Sequence, residues 1–466
     1  MTWLRKIGFY LALAASLLAT QAAQAADTTM TDSLIKKGEY LATAGDCIAC
    51  HTAPRGKPFA GGLLLSTPVG NIVATNITPS KTHGIGDYTL EDFTRAMRKG
   101  VAKDGHYLYP AMPYTAYAQV SDEDIAAIYA YFMKAVEPVD ESAPATQLPF
   151  PFNVRQSMAL WNFMFLDNSR YQADDSKDDL WNRGAYLARG LAHCSTCHTP
   201  RSVTMAEDLS RRLGGEVVGG WFAPNITSDP VSGIGGWTQE EIVTYMKTGR
   251  VEGKSQAAGP MAEAIDHSLR HLTDEDLKAM AVYLKTVPPV SNKNVSKAAY
   301  SFGGPTHELP TIRGVDLPAN QEQWTGAQLY DAHCATCHLA QGQGSRGLPS
   351  LFHNTALGWD NSNNLVMAVL QGIERQGHGD AMEVVMPAFA RDLSDKQVAM
   401  LSTYVLAHYG NPDAVVTLDQ VKSLRSGVAE GPDLIKIARI AMGVGVLLAL
   451  IVLAGVVVWW RRRRHR

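Results

Sequence analysis

One five-residue pattern, Cys-x-x-Cys-His, constrains this chain more than any other feature. It occurs at residues 47–51, 194–198 and 334–338, and the three copies use all six cysteines of the sequence. Two thiols followed directly by an imidazole are the attachment pattern of covalent c-type haem, in which the histidine is the proximal iron ligand. A zinc knuckle or a redox-active Cys-x-x-Cys pair is the alternative, but neither requires a histidine at that position in every copy.

The pattern therefore predicts three covalently bound haem c groups. The residues that hold them are Cys47, Cys50, His51, Cys194, Cys197, His198, Cys334, Cys337 and His338. Because every cysteine is used for haem, we expect no disulfide, even in an oxidising compartment.

Length and internal repeats divide the chain into units with one motif each. A chain of 466 residues agrees with about three domains. Residues 37–42 precede the first motif as residues 183–188 precede the second, and Asn-Ile-Thr at 76–78 matches 225–227. A duplication explains the constant spacing. We predict cytochrome c domains, called domains one, two and three below, at residues 32–138, 178–290 and 321–411.

Capping signals predict helices at matching places in the domains. Capping-box-like starts at Thr89 and Thr238 precede helices that end near Gly100 and Gly249. A later helix begins in each domain after Ser121, Thr273 or Ser394. Strand signals are limited to short runs such as 63–65 and 70–74. We therefore predict a mainly α fold.

The two ends of the chain carry apolar segments of different kinds. Residues 1–25 combine a basic start, a short apolar run and Ala-x-Ala, which is typical of a signal peptide; an uncleaved anchor is the alternative. Residues 440–460 are uncharged, end in two tryptophans and precede five arginines, as in a transmembrane helix with its arginines in the cytoplasm. A buried core helix is the alternative. This predicts a cytoplasmic (inner) membrane protein with one carboxy-terminal span and periplasmic haem domains.

Each haem iron also needs a second axial ligand, and the best candidate in every domain is a methionine in a proline-containing loop before the final helix. Met112 and Met386 precede a proline, whereas Met261 follows Pro260. We predict the iron ligand pairs His51 with Met112, His198 with Met261, and His338 with Met386. Core filling is the alternative among 16 methionines, and the fallback ligands are Met382, Met246, His267 and His271. Iron with two protein ligands has no open position, so we expect electron transfer and no catalytic residue.

Other residues allow more than one interpretation. Arg55 and Arg201 follow the haem histidines and are candidates to pair with propionates, while Asn76 and Asn225 occupy matching loop positions; solvated surface residues are the alternative. The apolar, aromatic residues 148–171 predict a helix on the membrane or on a partner subunit, or packing between domains.

Charge and motif content exclude other classes of function. The net charge of −3 gives no reason to expect a nucleic-acid partner. No nucleophile motif, nicotinamide fingerprint or flavin-binding glycine motif occurs, so we expect no organic-substrate site in this chain.

Particular stretches resemble a known family. They are DCIACHTA at 46–53, TNITP at 75–79, HGIG at 83–86, YPAMPY at 109–114 and CHTPR at 197–201. With three motifs in this order, the chain resembles the tri-haem cytochrome c subunit of membrane-bound periplasmic dehydrogenases of acetic acid bacteria. The resemblance implies that a separate catalytic subunit oxidises an alcohol, aldehyde, sugar or sugar acid, and that this subunit relays electrons through its haems to ubiquinone. It also allows a small third subunit.

One stretch bears on the branch of that family. QAAGPMAEA at 256–264 is similar to the version that accompanies FAD-dependent gluconate, fructose and sorbitol dehydrogenases, most of all the gluconate 2-dehydrogenase cytochrome c subunit. This favours a flavoprotein partner. The alternatives are a cytochrome subunit of a quinoprotein alcohol dehydrogenase or a molybdenum aldehyde dehydrogenase, a cytochrome subunit of a terminal oxidase, and a haem peroxidase.

Overall fold

A computed structural model describes residues 31–344, 348, 350–375, 384–427 and 433–464. The predicted signal peptide, residues 1–25, and the fallback ligand Met382 lie outside the described residues.

Domain one is built from helices around a short antiparallel hairpin. The helix at residues 31–44 is followed by Cys47–His51, the strands Leu64–Thr67 and Gly70–Val73, and the helices Leu90–Lys99, Tyr114–Tyr117 and Asp122–Lys134. The connector to domain two contains the helix Ser157–Phe165.

Domain two repeats this order. Its helices are Asp179–Tyr186, which continues as one π-helical segment Leu187–Leu191, then Ser195–His198, Gln239–Thr248, Gly259–His267 and Asp274–Leu284. Its 3₁₀ turns are Leu209–Arg211 and Leu269–His271. Its strands form two antiparallel hairpins, Glu216–Val218 with Trp221–Ala223 and Arg250–Val251 with Ser255–Gln256.

Domain three has the same beginning and end with a different middle. A connector with the 3₁₀ turns Ala299–Ser301 and Gln321–Gln323 and the helix Leu309–Ile312 leads into it. Its helices are Gly326–His333, Ala335–His338, Thr355–Gly358, Asn363–Gln371, Asp395–Tyr409 and Leu418–Ser426, and its strands are Ile373–Arg375 and Val384–Met386. The prediction of a mainly α fold is confirmed. The predicted strand runs at 63–65 and 70–74 correspond to the hairpin of domain one, whereas the hairpins of domains two and three were not predicted.

The predicted helix starts and ends are present. Thr89 and Thr238 each form a complete capping box, and Gly100 and Gly249 end those helices with φ of 60° and 70°. This left-handed conformation is one that glycine adopts without the steric penalty of a Cβ. Capping signals therefore located these elements correctly.

A glycine lets the first and last helices of domains one and two cross closely. A Cβ on Gly38 would lie 1.9 Å from the Ala127 carbonyl oxygen, and one on Gly184 would lie 1.9 Å from that of Ala279. No side chain fits at that distance, so the backbones touch. Each haem motif begins a few residues after the first helix. The crossing therefore fixes the position of the motif relative to the last helix.

Domains one and two form a reciprocal interface. The Tyr40 hydroxyl donates to Asp276 Oδ2 at 2.6 Å, and the Tyr186 hydroxyl donates to Asp124 Oδ2, also at 2.6 Å. Each tyrosine lies on the first helix of one domain, and each aspartate is in the first turn of the last helix of the other. This exchange is the pattern of a two-fold contact between duplicated units.

The hydrophobic core follows the same division. One buried cluster runs continuously through domains one and two. Domain three has its own cluster, which includes Trp221 from a domain-two hairpin. Asn364 joins that hairpin by accepting from the Phe222 amide at 2.9 Å and donating to the Phe222 carbonyl at 2.9 Å.

The last described element is the helix Leu434–Arg464 of 31 residues. It is the one helix in the described part of the chain that is long and apolar enough to cross a membrane. None of its 18 most apolar consecutive residues is buried. The predicted span, residues 440–460, lies within it. The alternative of a buried core helix is wrong, because side chains such as Leu447, Leu453 and Val456 are exposed.

Candidate haem-binding sites

The two proximal histidines of domains one and two are oriented by backbone carbonyls. His51 Nδ1 lies 2.7 Å from the Thr75 carbonyl oxygen, and His198 Nδ1 lies 2.6 Å from that of Pro224. A carbonyl can only accept, so Nδ1 carries the proton and the Nε2 lone pair is left for a metal. Burial also lowers the pKa of both imidazoles, which favours the neutral form that binds iron.

The motif cysteines lie in surroundings that suit thioether bonds. Burial raises the pKa of Cys47, Cys50, Cys194 and Cys334 to about 12. A redox-active Cys-x-x-Cys pair needs a lowered thiol pKa, and zinc needs thiolates. In the ranges that the structure describes, no three His, Cys, Asp or Glu side chains converge on one point as a metal site requires. The donor set therefore fits covalent haem better than either alternative.

Asn76 and Asn225 hold the loops that orient these histidines. Asn76 Oδ1 accepts from the amide and hydroxyl of Thr78 at 2.9 and 2.7 Å, and its Nδ2 donates to the Val139 carbonyl at 2.8 Å. Asn225 accepts from Thr227 in the same way. Each asparagine directly follows the residue whose carbonyl accepts the hydrogen bond from the proximal histidine. The alternative that both are solvated is wrong, since their exposures are 4% and 5%.

Replacing Asn76 with alanine is expected to destabilise domain one by about 2–4 kcal/mol, because several buried hydrogen bonds are lost and their partners stay buried. Thermal unfolding followed by circular dichroism measures the effect. Asn71→Ala is a matched control. Asn71 lies on the exposed hairpin, where its Oδ1 accepts a long hydrogen bond of 3.2 Å from the Ser66 hydroxyl. Equal losses from both variants would contradict the assigned role of Asn76.

The structure places the three candidate methionines in different local structures. Met112 lies in a turn before the helix Tyr114–Tyr117, as expected. Met261 lies inside the helix Gly259–His267, and Met386 ends the strand Val384–Met386, so the expectation of a loop is wrong for both. The reason for Met261 is that Pro260 suits the first turn of a helix, where its missing N–H costs nothing.

Two of the fallback residues, Met246 and His271, are occupied by other contacts. Met112, Met261 and Met386 are partly buried at the edges of the two main clusters. Met246 is 5% exposed within the core, and His271 Nε2 lies 3.0 Å from the Asp266 carbonyl. Met112, Met261 and Met386 remain our predicted axial ligands.

The first and second haem motifs lie close together, which the sequence did not indicate. The Tyr117 hydroxyl donates to the Gly45 carbonyl at 2.8 Å, two residues before Cys47. The Tyr117 ring also contacts His193, the residue before Cys194, edge-on with ring centroids 5.7 Å apart. Tyr117 therefore links the chain before one motif to the chain before the other.

The two arginines after the motifs differ. Arg201 donates to the Thr196 carbonyl inside the second motif and to the Met205 carbonyl, both at 2.9 Å. Arg55 is exposed, with φ of 61°. Arg201 thus braces its motif, and pairing of either arginine with a propionate remains a prediction.

Comparison with known proteins agrees with this geometry. The sequence model of the cytochrome c family matches residues 35–135, 182–288 and 324–408, so each match contains one Cys-x-x-Cys-His motif. The chain belongs to the cytochrome c family. This cytochrome contains three cytochrome c domains, carries three c-type haems and transfers electrons.

Three relatives of this cytochrome align over nearly their whole length. The fructose dehydrogenase cytochrome subunit of Gluconobacter japonicus is 45% identical over 93% of this chain and 92% of its own. The gluconate 2-dehydrogenase cytochrome c subunit of Pantoea cypripedii is 40% identical over 86% and 91%. The cytochrome c subunit of the quinone alcohol dehydrogenase of Gluconobacter oxydans is 38% identical over 90% and 88%. The predicted family is confirmed, although the identity is higher to the fructose dehydrogenase subunit than to the gluconate 2-dehydrogenase subunit that the sequence favoured.

Proposed function

We propose that this cytochrome is the electron-transfer subunit of a membrane-bound dehydrogenase complex and passes electrons from a catalytic partner to ubiquinone. The observation that carries the proposal is the alignment with cytochrome subunits of three dehydrogenases over at least 86% of this chain. Alignments of this length extend well beyond the three haem motifs. A small third subunit is a further proposed partner.

A c-type haem with two axial protein ligands takes up and releases one electron without an open site for substrate. The work of this chain is then to hold each group and to fix the distances between them. Thr75 and Pro224 set the orientation of the proximal histidines. Tyr117 and the reciprocal contacts of Tyr40 and Tyr186 fix domain one against domain two.

The helix Leu434–Arg464 supports anchoring in the cytoplasmic membrane. Its arginines 461–464 follow the interfacial Trp459 and Trp460, which favours a cytoplasmic carboxy-terminus and periplasmic haem domains. The guanidinium of Arg464 lies 3.7 Å from the centroid of the Trp460 ring. Such an arrangement suits a headgroup region, where both side chains are stable.

Reporter proteins fused after Arg466 are expected to distinguish the two orientations. A green fluorescent protein fusion, which matures in the cytoplasm, is expected to fluoresce, and an alkaline phosphatase fusion, which needs periplasmic disulfides, is expected to be inactive. Replacing the arginines 461–464 with glutamine is the control for the positive-inside effect. Active phosphatase with dark fluorescent protein would contradict the orientation.

The branch of the family is proposed from the degree of identity. Identity is 45% and 40% to the fructose and gluconate dehydrogenase subunits and 38% to the alcohol dehydrogenase subunit. We infer a flavoprotein partner that oxidises a sugar or sugar acid. Its direct test is purification of the tagged full chain from native membranes, with identification of the co-purifying subunit and its cofactor. Flavin is the expected result; pyrroloquinoline quinone or molybdenum would contradict this branch.

A further inference from the structure

The connector helix Ser157–Phe165 has one face that is fixed to the protein. Trp161 is 8% exposed, and its Nε1 donates to the Thr204 carbonyl at 2.9 Å. Its ring packs edge-on against Tyr114, with centroids 6.3 Å apart. Asn162 Oδ1 accepts from the Tyr114 hydroxyl at 2.8 Å. These contacts set the rotation of the helix about its axis.

The opposite face is apolar and exposed. Leu160, Phe163 and Met164 are 62%, 87% and 53% exposed. Spacings of three and four residues place them on one side of the helix. Phe150, which precedes the helix, is 49% exposed. A continuous exposed apolar face beside a fixed polar and aromatic face marks an interaction surface.

The carboxy-terminal helix contacts the chain a few residues before this connector helix. Its first residue, Leu434, is buried against Val69 and Leu148. One and a half turns later, Arg439 Nε donates to the Phe150 carbonyl at 3.1 Å. Arg439 is the last charged residue before the uncharged run at 440–460. The connector therefore meets the membrane helix at the level where the headgroup region begins.

We propose that Ser157–Phe165 is an interfacial helix that inserts Leu160, Phe163 and Met164 into the surface of the phospholipid bilayer. An apolar face next to the entry point of a span, with its other face held by protein, suits the headgroup–acyl boundary. The inference rests on the membrane anchoring proposed above. It gives domain one a second contact with the bilayer, so that the domain does not rotate freely about a single span.

Contact of the helix Ser157–Phe165 with the bilayer would also bring Met112, the predicted iron ligand of domain one, near the lipid. Met112 and Met158 pack against the cluster of Trp161, Tyr114 and Ala206 that anchors the helix. Domain one would therefore hold its Met112 loop beside the membrane surface, on the side from which a lipid-soluble quinone approaches.

Photocrosslinking of the full-length holoprotein in nanodiscs tests the proposal. The nanodiscs contain a phospholipid with a diazirine near the headgroup end of its acyl chain, and peptide mass spectrometry locates the adducts. We expect adducts at Leu160, Phe163 and Met164, at least about fivefold above those at Val315 and Val415, which are 63% and 69% exposed elsewhere. Adducts within residues 440–460 report the membrane anchor independently.

The outcomes are distinguishable. Adducts in the membrane helix without adducts at Phe163 would overturn the interfacial helix while leaving the anchor intact. No adduct in the membrane helix would overturn the anchor and the inference together. Phe163→Ser is expected to lower the Met164 adduct by at least about threefold, because the face loses its largest apolar side chain.

Discussion

Replacing Cys47 and Cys50 together with serine is expected to reduce the covalently bound haem from three groups to two, since each Cys-x-x-Cys-His motif holds one. A serine hydroxyl does not form the thioether bond, and all other cysteines belong to the other two motifs. Domain one should also lose stability, because a group bound only by the native state stabilises that state. Haem content per chain by the pyridine haemochrome assay and peptide mass spectrometry measure the result.

A matched control changes the same motif without removing a thiol. Ala49→Ser adds a hydroxyl between the two cysteines and should leave three haems. The double variant should show haem on the peptides of motifs two and three alone. Three covalent haems in the Cys47→Ser, Cys50→Ser chain would contradict the attachment sites.

Replacing Met112 with leucine is expected to have the second-largest effect. Leucine matches methionine in volume, so the cost in packing should stay below about 1.5 kcal/mol. It has no thioether, so the iron of domain one should lose its sixth ligand and become high-spin. The reduction potential of that haem should fall by roughly 0.1–0.3 V, within the range of about 0.8 V that axial ligands control. Electron paramagnetic resonance and a redox titration measure both changes.

Met97→Leu is the control for this variant. Met97 is 6% exposed in the core of domain one, so it shares the chemistry of Met112 without its position at the edge of the cluster. Its spectrum and potential should be unchanged. A Met112→Leu chain that remains fully low-spin would show that another residue binds the iron of domain one.

Local signals located much of the fold because they depend on neighbouring residues. Thr89 caps its helix through Asp92, and Gly100 ends it, with no help from distant parts of the chain. The repeat spacing likewise paired Asn76 with Asn225 before any contact was known. What it did not indicate is that each asparagine supports the carbonyl next to it, since that depends on Val139 and Val290, more than 60 residues away.

Contacts between domains were beyond local reasoning for the same reason. Tyr40 and Asp276 are 236 positions apart, and nothing in either local sequence indicates the other. Of the two alternatives for residues 148–171, packing between domains holds for Trp161. Phe163 is exposed, and its contact with the membrane or a partner subunit stays a prediction. A pattern of apolar residues does not distinguish the packed face of this helix from its exposed face until the residues in contact with each face are known.

The central claim is that the chain passes electrons from a dehydrogenase to ubiquinone, and one measurement tests it most directly. The intact complex in nanodiscs is mixed without oxygen, first with the substrate of its catalytic subunit and then with ubiquinone, while haem absorbance is followed. We predict that substrate reduces all three haems and that ubiquinone reoxidises them. Haems that stay reduced with ubiquinone and are reoxidised only by oxygen or peroxide would contradict the account and favour a terminal oxidase subunit or a peroxidase.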